Sequence, residues 1–272
     1  MGVALGDTGS VRRMDAATDP IRAATDPSAL PHGVPAPRRQ VIPRPPTAYP
    51  GGPAPWATLP ASSRRGLNVA RVRAAVRAHH RALEGEERVA FDGFPDPGAP
   101  AAVLVPVFEA DGEARVVLTR RAAHLRTHTG EVSFPGGRLD PGERPESGAR
   151  REAAEEVGLD PETVETVGRL TPLSTFSSGA TITPVVGVLA TPPRLVPNPT
   201  EVEHAFDVSL ATLAADGVFR EERWIVPGRP MPPSAGGTDG SFPVWFFELD
   251  HDTVWGATAR MLVELLRLVL GL

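Results

Sequence analysis

The 272-residue sequence predicts an α/β fold with a mixed β-sheet, preceded by a proline-rich, disordered N-terminal tail. Three observations carry that expectation. Proline is unevenly spread: 12 of the 31 prolines fall in residues 1–60, in runs such as Pro43-Arg44-Pro45-Pro46, with no apolar stretch periodic enough to bury a face. From Ala101 onward, short apolar strands are punctuated by turn signals. Helical patterns then interrupt the strands without strict βαβ alternation, which suggests an α/β or α+β domain with a mixed sheet.

In chain order, residues 1–60 are expected to be tail. They lack the apolar core of a signal peptide, and their arginines are mixed with aspartates, unlike a transit peptide. Met14 stands as an alternative start. Residues 61–95 read as a helical extension and linker, with a helix from about Ser62 to Leu83 and the pair His79-His80 on its solvated face. The main domain is then 96–272. Ala102–Phe108 and Arg115–Leu118 form a hairpin about Asp111-Gly112, and further strands are expected at Thr163–Leu170, Ile182–Leu189, Arg223–Val226 and Phe242–Leu249. Trp245, Phe246 and Phe247 are read as strand and core residues. A helix from Pro145 to Val157 opens on proline and stops at Gly158. In the last helix, about Trp255 to Leu270, Arg260, Glu264 and Arg267 break the apolar run, so it docks on the domain and does not span a membrane; a homodimer contact is the alternative use.

Composition excludes several chemistries. Without cysteine there is no thiolate zinc site, iron–sulfur cluster, disulfide or cysteine nucleophile. All 28 basic residues are arginine, so no Schiff-base lysine or P-loop lysine exists. A net charge of −5 argues against nucleic acid as a partner, and the expected setting is cytoplasmic with a small-molecule substrate.

The helix at Pro145–Val157 holds the most informative pattern. Glu152, Glu155 and Glu156 stand at i, i+3 and i+4, on one face, where like charges cost a few tenths of a kcal/mol per pair. Such a face suits hard divalent cations, Mg²⁺ or Mn²⁺, which take oxygen ligands. On the other face Ala149, Ala153 and Val157 are small and four apart, allowing close approach to a sheet. The preceding loop, Phe134-Pro135-Gly136-Gly137, can leave a glycine carbonyl as a further ligand. Glutamates beside arginine on a helix are commonly a solvated face. Here the wider pattern decides: Gly137, then Glu143, then Arg151-Glu152-Ala153-Ala154-Glu155-Glu156-Val157-Gly158-Leu159, over 23 positions.

That stretch resembles the Nudix box, G-x5-E-x7-R-E-U-x-E-E-x-G-U, at every specified position. The resemblance implies a Nudix-type α/β/α sandwich and hydrolysis of a nucleoside diphosphate linked to another group. It places the metal on Glu152, Glu155 and Glu156, with Glu143 and the Gly137 carbonyl assisting. Glu152, Glu155 and Arg151 would then be catalytic, Arg151 by orienting the glutamates. Just before the box, Arg120, Arg121, Arg126 and His128 crowd together, and with Arg138 they offer guanidinium partners for phosphate oxygens. The run from Leu118 to Gly137 is similar to the signature of coenzyme A pyrophosphatases, L-T-x-R-x4-R-x-H-x-G-x-V-x-F-P-G-G. It implies metal-dependent cleavage of coenzyme A or acyl-coenzyme A to 3′,5′-ADP and 4′-phosphopantetheine. Markers of sister subfamilies are missing: zinc-binding cysteines, a tyrosine after the box (the one tyrosine is Tyr49), and the proline typical of ADP-ribose pyrophosphatases, where Thr175 stands. A Nudix pyrophosphatase for another nucleotide, such as ADP-ribose, and a non-catalytic ligand-binding regulator are the alternatives. The general base stays open between Glu152 and the pair Glu201 and Glu203.

Overall fold

The computed structural model describes residues 40, 42–85, 98–125, 129–174, 180–225 and 239–272. In chain order its elements are β1 (Tyr49–Pro50), α1 (Val69–Gly85), β2 (Gly98–Ala110), β3 (Glu113–Arg121), β4 (Val132–Ser133), β5 (Gly136–Arg138), α2 (Pro145–Val157), β6 (Val164–Arg169), β7 (Leu173–Ser174), β8 (Ala180–Leu189), β9 (Val202–Ser209), α3 (Leu210–Leu213), β10 (Phe219–Trp224), β11 (Phe242–Glu248), β12 (Thr253–Trp255) and α4 (Gly256–Leu270).

The main sheet is mixed, as the irregular alternation of elements predicts. Its order is β4-β3-β2-β8-β6, with β5 beside β2, β7 beside β8 and β9 beside β3. Among the described residues only β2 and β8 run parallel. β2 and β3 pair over Val107–Ala110 and Glu113–Val116 and then part. The gap is filled by the segment before α2: Val132–Ser133 pairs with Thr119–Arg120, and Gly136–Arg138 with Ala101–Val103. This insertion brings the end of β3 beside the glycine loop and the carboxylate helix.

Strand periodicity sorts the side chains onto two faces. On one, Ala102 and Leu104 of β2 and Val117 of β3 pack against Ala149, Ala153 and Val157 of α2. On the other, Val103, Val105, Val116 and Leu118 join Leu67, Val72 and Val76 of the α1 segment and Leu262, Leu265 and Leu266 of α4. The result is an α/β/α sandwich, with the last helix docked on the domain as its interrupted apolar run predicts. A second sheet, β1-β10-β11-β12, extends the α4 side through Phe247 and Val254. Among the described residues no helix is long and apolar enough to cross a membrane.

Four expectations are corrected. The tail does not extend to residue 60: Trp56 is fully buried between Phe219 (centroids 5.4 Å apart) and Phe247 (6.3 Å). Tyr49–Pro50 pairs with Arg223–Glu222 as an edge strand, and Arg44 reaches Glu222 at 2.7 Å. Residues 1–39, including Met14, lie outside the described residues. The helix expected as an extension is part of the core; it spans Val69–Gly85, after a single 3₁₀ turn at Ala61–Arg64. His79 is not on a solvated face: its Nε2 lies 3.0 Å from Glu264 of α4. The strand at Arg223–Val226 begins earlier, at Phe219, and β9 is a strand without a counterpart in the sequence reading. Its Glu203, His204 and Asp207 dilute the apolar alternation, yet its partner β3 supplies arginines, with Asp207 paired to Arg115.

Trp56→Ala is expected to destabilise the protein by about 3–5 kcal/mol, the usual cost of emptying a buried aromatic site. Urea denaturation checks it; an unchanged midpoint would mean that residues 42–60 are not part of the cooperative fold.

Candidate active site

The site is organised by α2. Pro145 occupies its first helical position, and Gly158, with φ +67°, ends it; the Gly158 and Leu159 N–H groups bond the carbonyls of Ala154 and Ala153. These stops set the length of the helix, and the buried alanines set its rotation. Glu152 and Glu156 are therefore turned toward the glycine loop and the end of β3, while Glu155 stays more exposed beside Arg151.

Arg151 gathers the acids. Its Nε and Nη2 hold both oxygens of Glu143 at 3.0 Å, a bidentate pair; Nη1 reaches Glu152 at 3.0 Å and Glu155 at 3.4 Å; Nη2 also donates to the Arg138 carbonyl at 3.1 Å. The bond from Arg151, with one from the Asp140 N–H, holds the Glu143 carboxyl below its ordinary pKa. Glu143 and Glu152 hold Arg151 above its own. Glu152 is pushed up by burial, partly opposed by Arg151, with the charges of Glu155 and Glu201 adding to the rise.

Glu156 is the deepest of the acids, its side chain 4% exposed. Burial pushes its carboxyl up to about 7; Arg121 and the Gly136 N–H offset part of this, and Glu201 and Glu152 add to it. Arg121 Nη1 lies 3.8 Å from it, and the Gly136 N–H donates to it at 3.3 Å.

Glu201 arrives from a distant part of the chain. The Asn198 N–H bonds the Glu156 carbonyl at 2.8 Å, and the Glu201 and Val202 N–H groups bond the Asn198 carbonyl at 3.0 and 2.8 Å. The turn before β9 thus hangs from the end of α2, and Glu201 acts electrostatically on Glu152 and Glu156.

As they lie, no three His, Asp or Glu side chains among the described residues are grouped closely enough to hold a metal ion. Arg151 draws Glu143, Glu152 and Glu155 to itself, away from Glu156. The donor set nevertheless fits a hard divalent cation: carboxylate oxygens only, one of them deep and weakly compensated. Gly137 supplies the cradle, because a Cβ there would come within 2.5 Å of the Glu152 carboxylate.

The arginines expected to meet substrate do not share one place. Adjacent strand residues face opposite ways. Arg121 faces α2, whereas Arg120 turns to the other face, 4% exposed, with Nη1 2.9 Å from Asp252 and Nε 3.4 Å from Glu203. His204 Nε2 lies 3.2 Å from the second Asp252 oxygen. Burial alone would raise the Asp252 carboxyl, but the His204 bond and the charges of His204 and Arg120 hold it below its ordinary value. The Arg138 side chain is exposed. Arg126 and His128 lie outside the described residues. Asp252, 132 positions from Arg120, and Asn198 carried no signal in the sequence. The alternation of β3, by contrast, was there to separate Arg120 from Arg121.

A carboxylate helix, a glycine loop filling the gap between two parted strands, and a facing arginine make up an arrangement of the Nudix type. The NUDIX domain model matches residues 98–226. Nudix hydrolase 3 of Caenorhabditis elegans is 40% identical over 43% of this chain and 50% of its own length. The uncharacterized Nudix hydrolase NudL of Salmonella paratyphi B is 38% identical over 61% of this chain and 80% of its own. Among solved structures, the Nudix hydrolase RenU of M. smegmatis is 28% identical, with a TM-score of 0.38, covering 44% of this chain and 75% of that one. The chain belongs to the Nudix hydrolase family, and it spans half the length of the C. elegans relative.

Arg120→Ala is expected to cost about 3–5 kcal/mol, because it strands the buried Asp252 charge. Arg121→Ala should cost less, since Glu156, already pushed up to about 7, can take a proton in place of its partner. Urea unfolding of both variants at pH 7 checks this, and equal losses would contradict the assignment of the two side chains to different faces.

Proposed function

We propose that this protein hydrolyses the diphosphate bond of coenzyme A or acyl-coenzyme A, giving 3′,5′-ADP and (acyl-)4′-phosphopantetheine. The observation that carries the reading is the meeting of two patterns. The run from Leu118 to Gly137, similar to coenzyme A pyrophosphatases, ends in the loop that lies against Glu152, and its Arg121 faces Glu156.

Mg²⁺ or Mn²⁺ would be held by Glu152, Glu155 and Glu156, with Glu143 and the Gly137 carbonyl assisting. Bound there, the cation neutralises diphosphate charge and makes a water more acidic. Arg121 binds a phosphoryl oxygen and stabilises the charge that grows there during cleavage. Arg126, His128 and Arg138 belong to the same substrate-binding set. Arg151 keeps Glu152 and Glu155 oriented through its anchor on Glu143. Glu201 accepts the proton of the attacking water at its carboxylate. Glu203, 3.4 Å from Arg120, is committed elsewhere, which narrows the choice of base. Arg120 leaves the substrate set for the same reason.

Glu155→Gln and Glu156→Gln should each lower turnover at least about a hundredfold while leaving the fold intact by circular dichroism. Chromatography of products from coenzyme A and ADP-ribose, side by side, tests the substrate. 3′,5′-ADP should appear from coenzyme A only when Mg²⁺ or Mn²⁺ is present, and faster than ADP-ribose is cleaved. Preference for ADP-ribose would select the alternative Nudix pyrophosphatase.

A further inference from the structure

The ladder between β3 and β9 contains a bulge beside the site. Partners run in step from Arg115 with Ser209 to Arg120 with His204; then Arg121 pairs with Val202, and Glu203 is left as the extra residue. A bulge re-aims the chain beyond it, and a one-residue slip decides which face each later side chain takes. The residues beyond this bulge are Val202 and Glu201, whose carbonyl receives the Ala122 N–H at 2.8 Å.

A closed charge network spans the bulge. Arg120 reaches Glu203 at 3.4 Å and Asp252 at 2.9 Å, and the second Asp252 oxygen lies 3.2 Å from His204. Glu203 and His204, side by side at the bulge, are thus both tied to one carboxylate, Glu203 through Arg120 and His204 directly. Asp252 comes from the loop between β11 and β12, closed by the Leu249 N–H bonding its carbonyl at 2.9 Å. Asp252 and Arg120 side chains are 7% and 4% exposed. A desolvated ion pair of this kind is a poor way to gain stability, since apolar residues of similar volume do as well or better. What buried charge can add is strand register.

We propose that Asp252 is a positioning residue for the reaction: through Arg120 and His204 it pins the bulge in β9, and so places the Glu201 carboxylate beside α2. This rests on the reading of Glu201 as the base, and the experiments separate the two.

Asp252→Asn in the full-length protein should lower kcat about 10- to 100-fold with KM changed less than about threefold, the scale of a 1 Å misplacement. In a Glu201→Gln background the same change should cost under about twofold, because its target is gone; fully multiplicative losses overturn the proposal. The pair Arg120→Met with Asp252→Leu replaces the charges by apolar volume. It should recover Tm but not kcat, whereas recovery of both would make the role of Asp252 merely structural. Should the wild-type protein cleave neither coenzyme A nor ADP-ribose, the functional reading falls and hydrogen exchange still decides the pinning. Peptides covering 118–125 and 200–206 should exchange faster in Asp252→Asn, and unchanged exchange overturns it.

Discussion

Three carboxylates share the single Arg151 guanidinium and a fourth, Glu156, is left to another arginine, and the geometry of the site follows from that division. Glu143 takes the bidentate share and anchors the arginine to the loop before α2. Glu152 and Glu155 share the remaining nitrogen, so the helix bears their mutual repulsion at a cost of only a few tenths of a kcal/mol. Glu156 is left to Arg121 and one N–H, and burial pushes its carboxyl up to about 7. A helix carrying this much like charge holds its place because its opposite face is buried. Ala149 and Ala153 let it lie directly on β2, and Gly137 leaves room for the Glu152 carboxylate against the chain.

Two features of the sheet bring chemistry to that helix. β2 and β3 part early, and the inserted segment Val132–Arg138 seals the gap with short pairings to both strands. The glycine loop is therefore held by a sheet on two sides, which is a more rigid support than a surface loop offers. The end of β3 then meets β9, whose preceding turn hangs from the Glu156 carbonyl. Arg121 enters the site from β3 and Glu201 from the turn before β9, while Arg120, one residue away from Arg121, serves the opposite face.

The N-terminal segment shows how far composition can mislead about order. Residues 42–60 are rich in proline and have no helical or strand periodicity, yet they lie along the second sheet. Their contacts are specific: among them are Trp56 in an aromatic cluster, the Arg44 pair with Glu222, the Tyr49 hydroxyl on Ser241, and a two-residue edge strand at Tyr49–Pro50. Proline suits an edge, where its missing N–H costs no ladder bond, and it lowers the entropy lost on docking. Long-range contacts of this kind order a segment that no local pattern identifies.

Local rules made α2, its two stops, its three acids and its small-residue face legible without a structure, because a helix keeps fixed spacings along the chain. The hairpin of β2 and β3 and the docking of the last helix were legible for the same reason. The sequence alone determined the family pattern, the chemistry of the donors and the absence of lysine and cysteine alternatives. Tertiary structure decided the rest. It assigned Arg120 to the far face, brought Glu201 to Glu152 and Glu156, joined His79 to Glu264, and tied Asp252 to a strand 132 residues away from it in sequence. Those pairings are long-range, and each depends on strand register and on which face a side chain takes, quantities that no window of neighbouring residues contains.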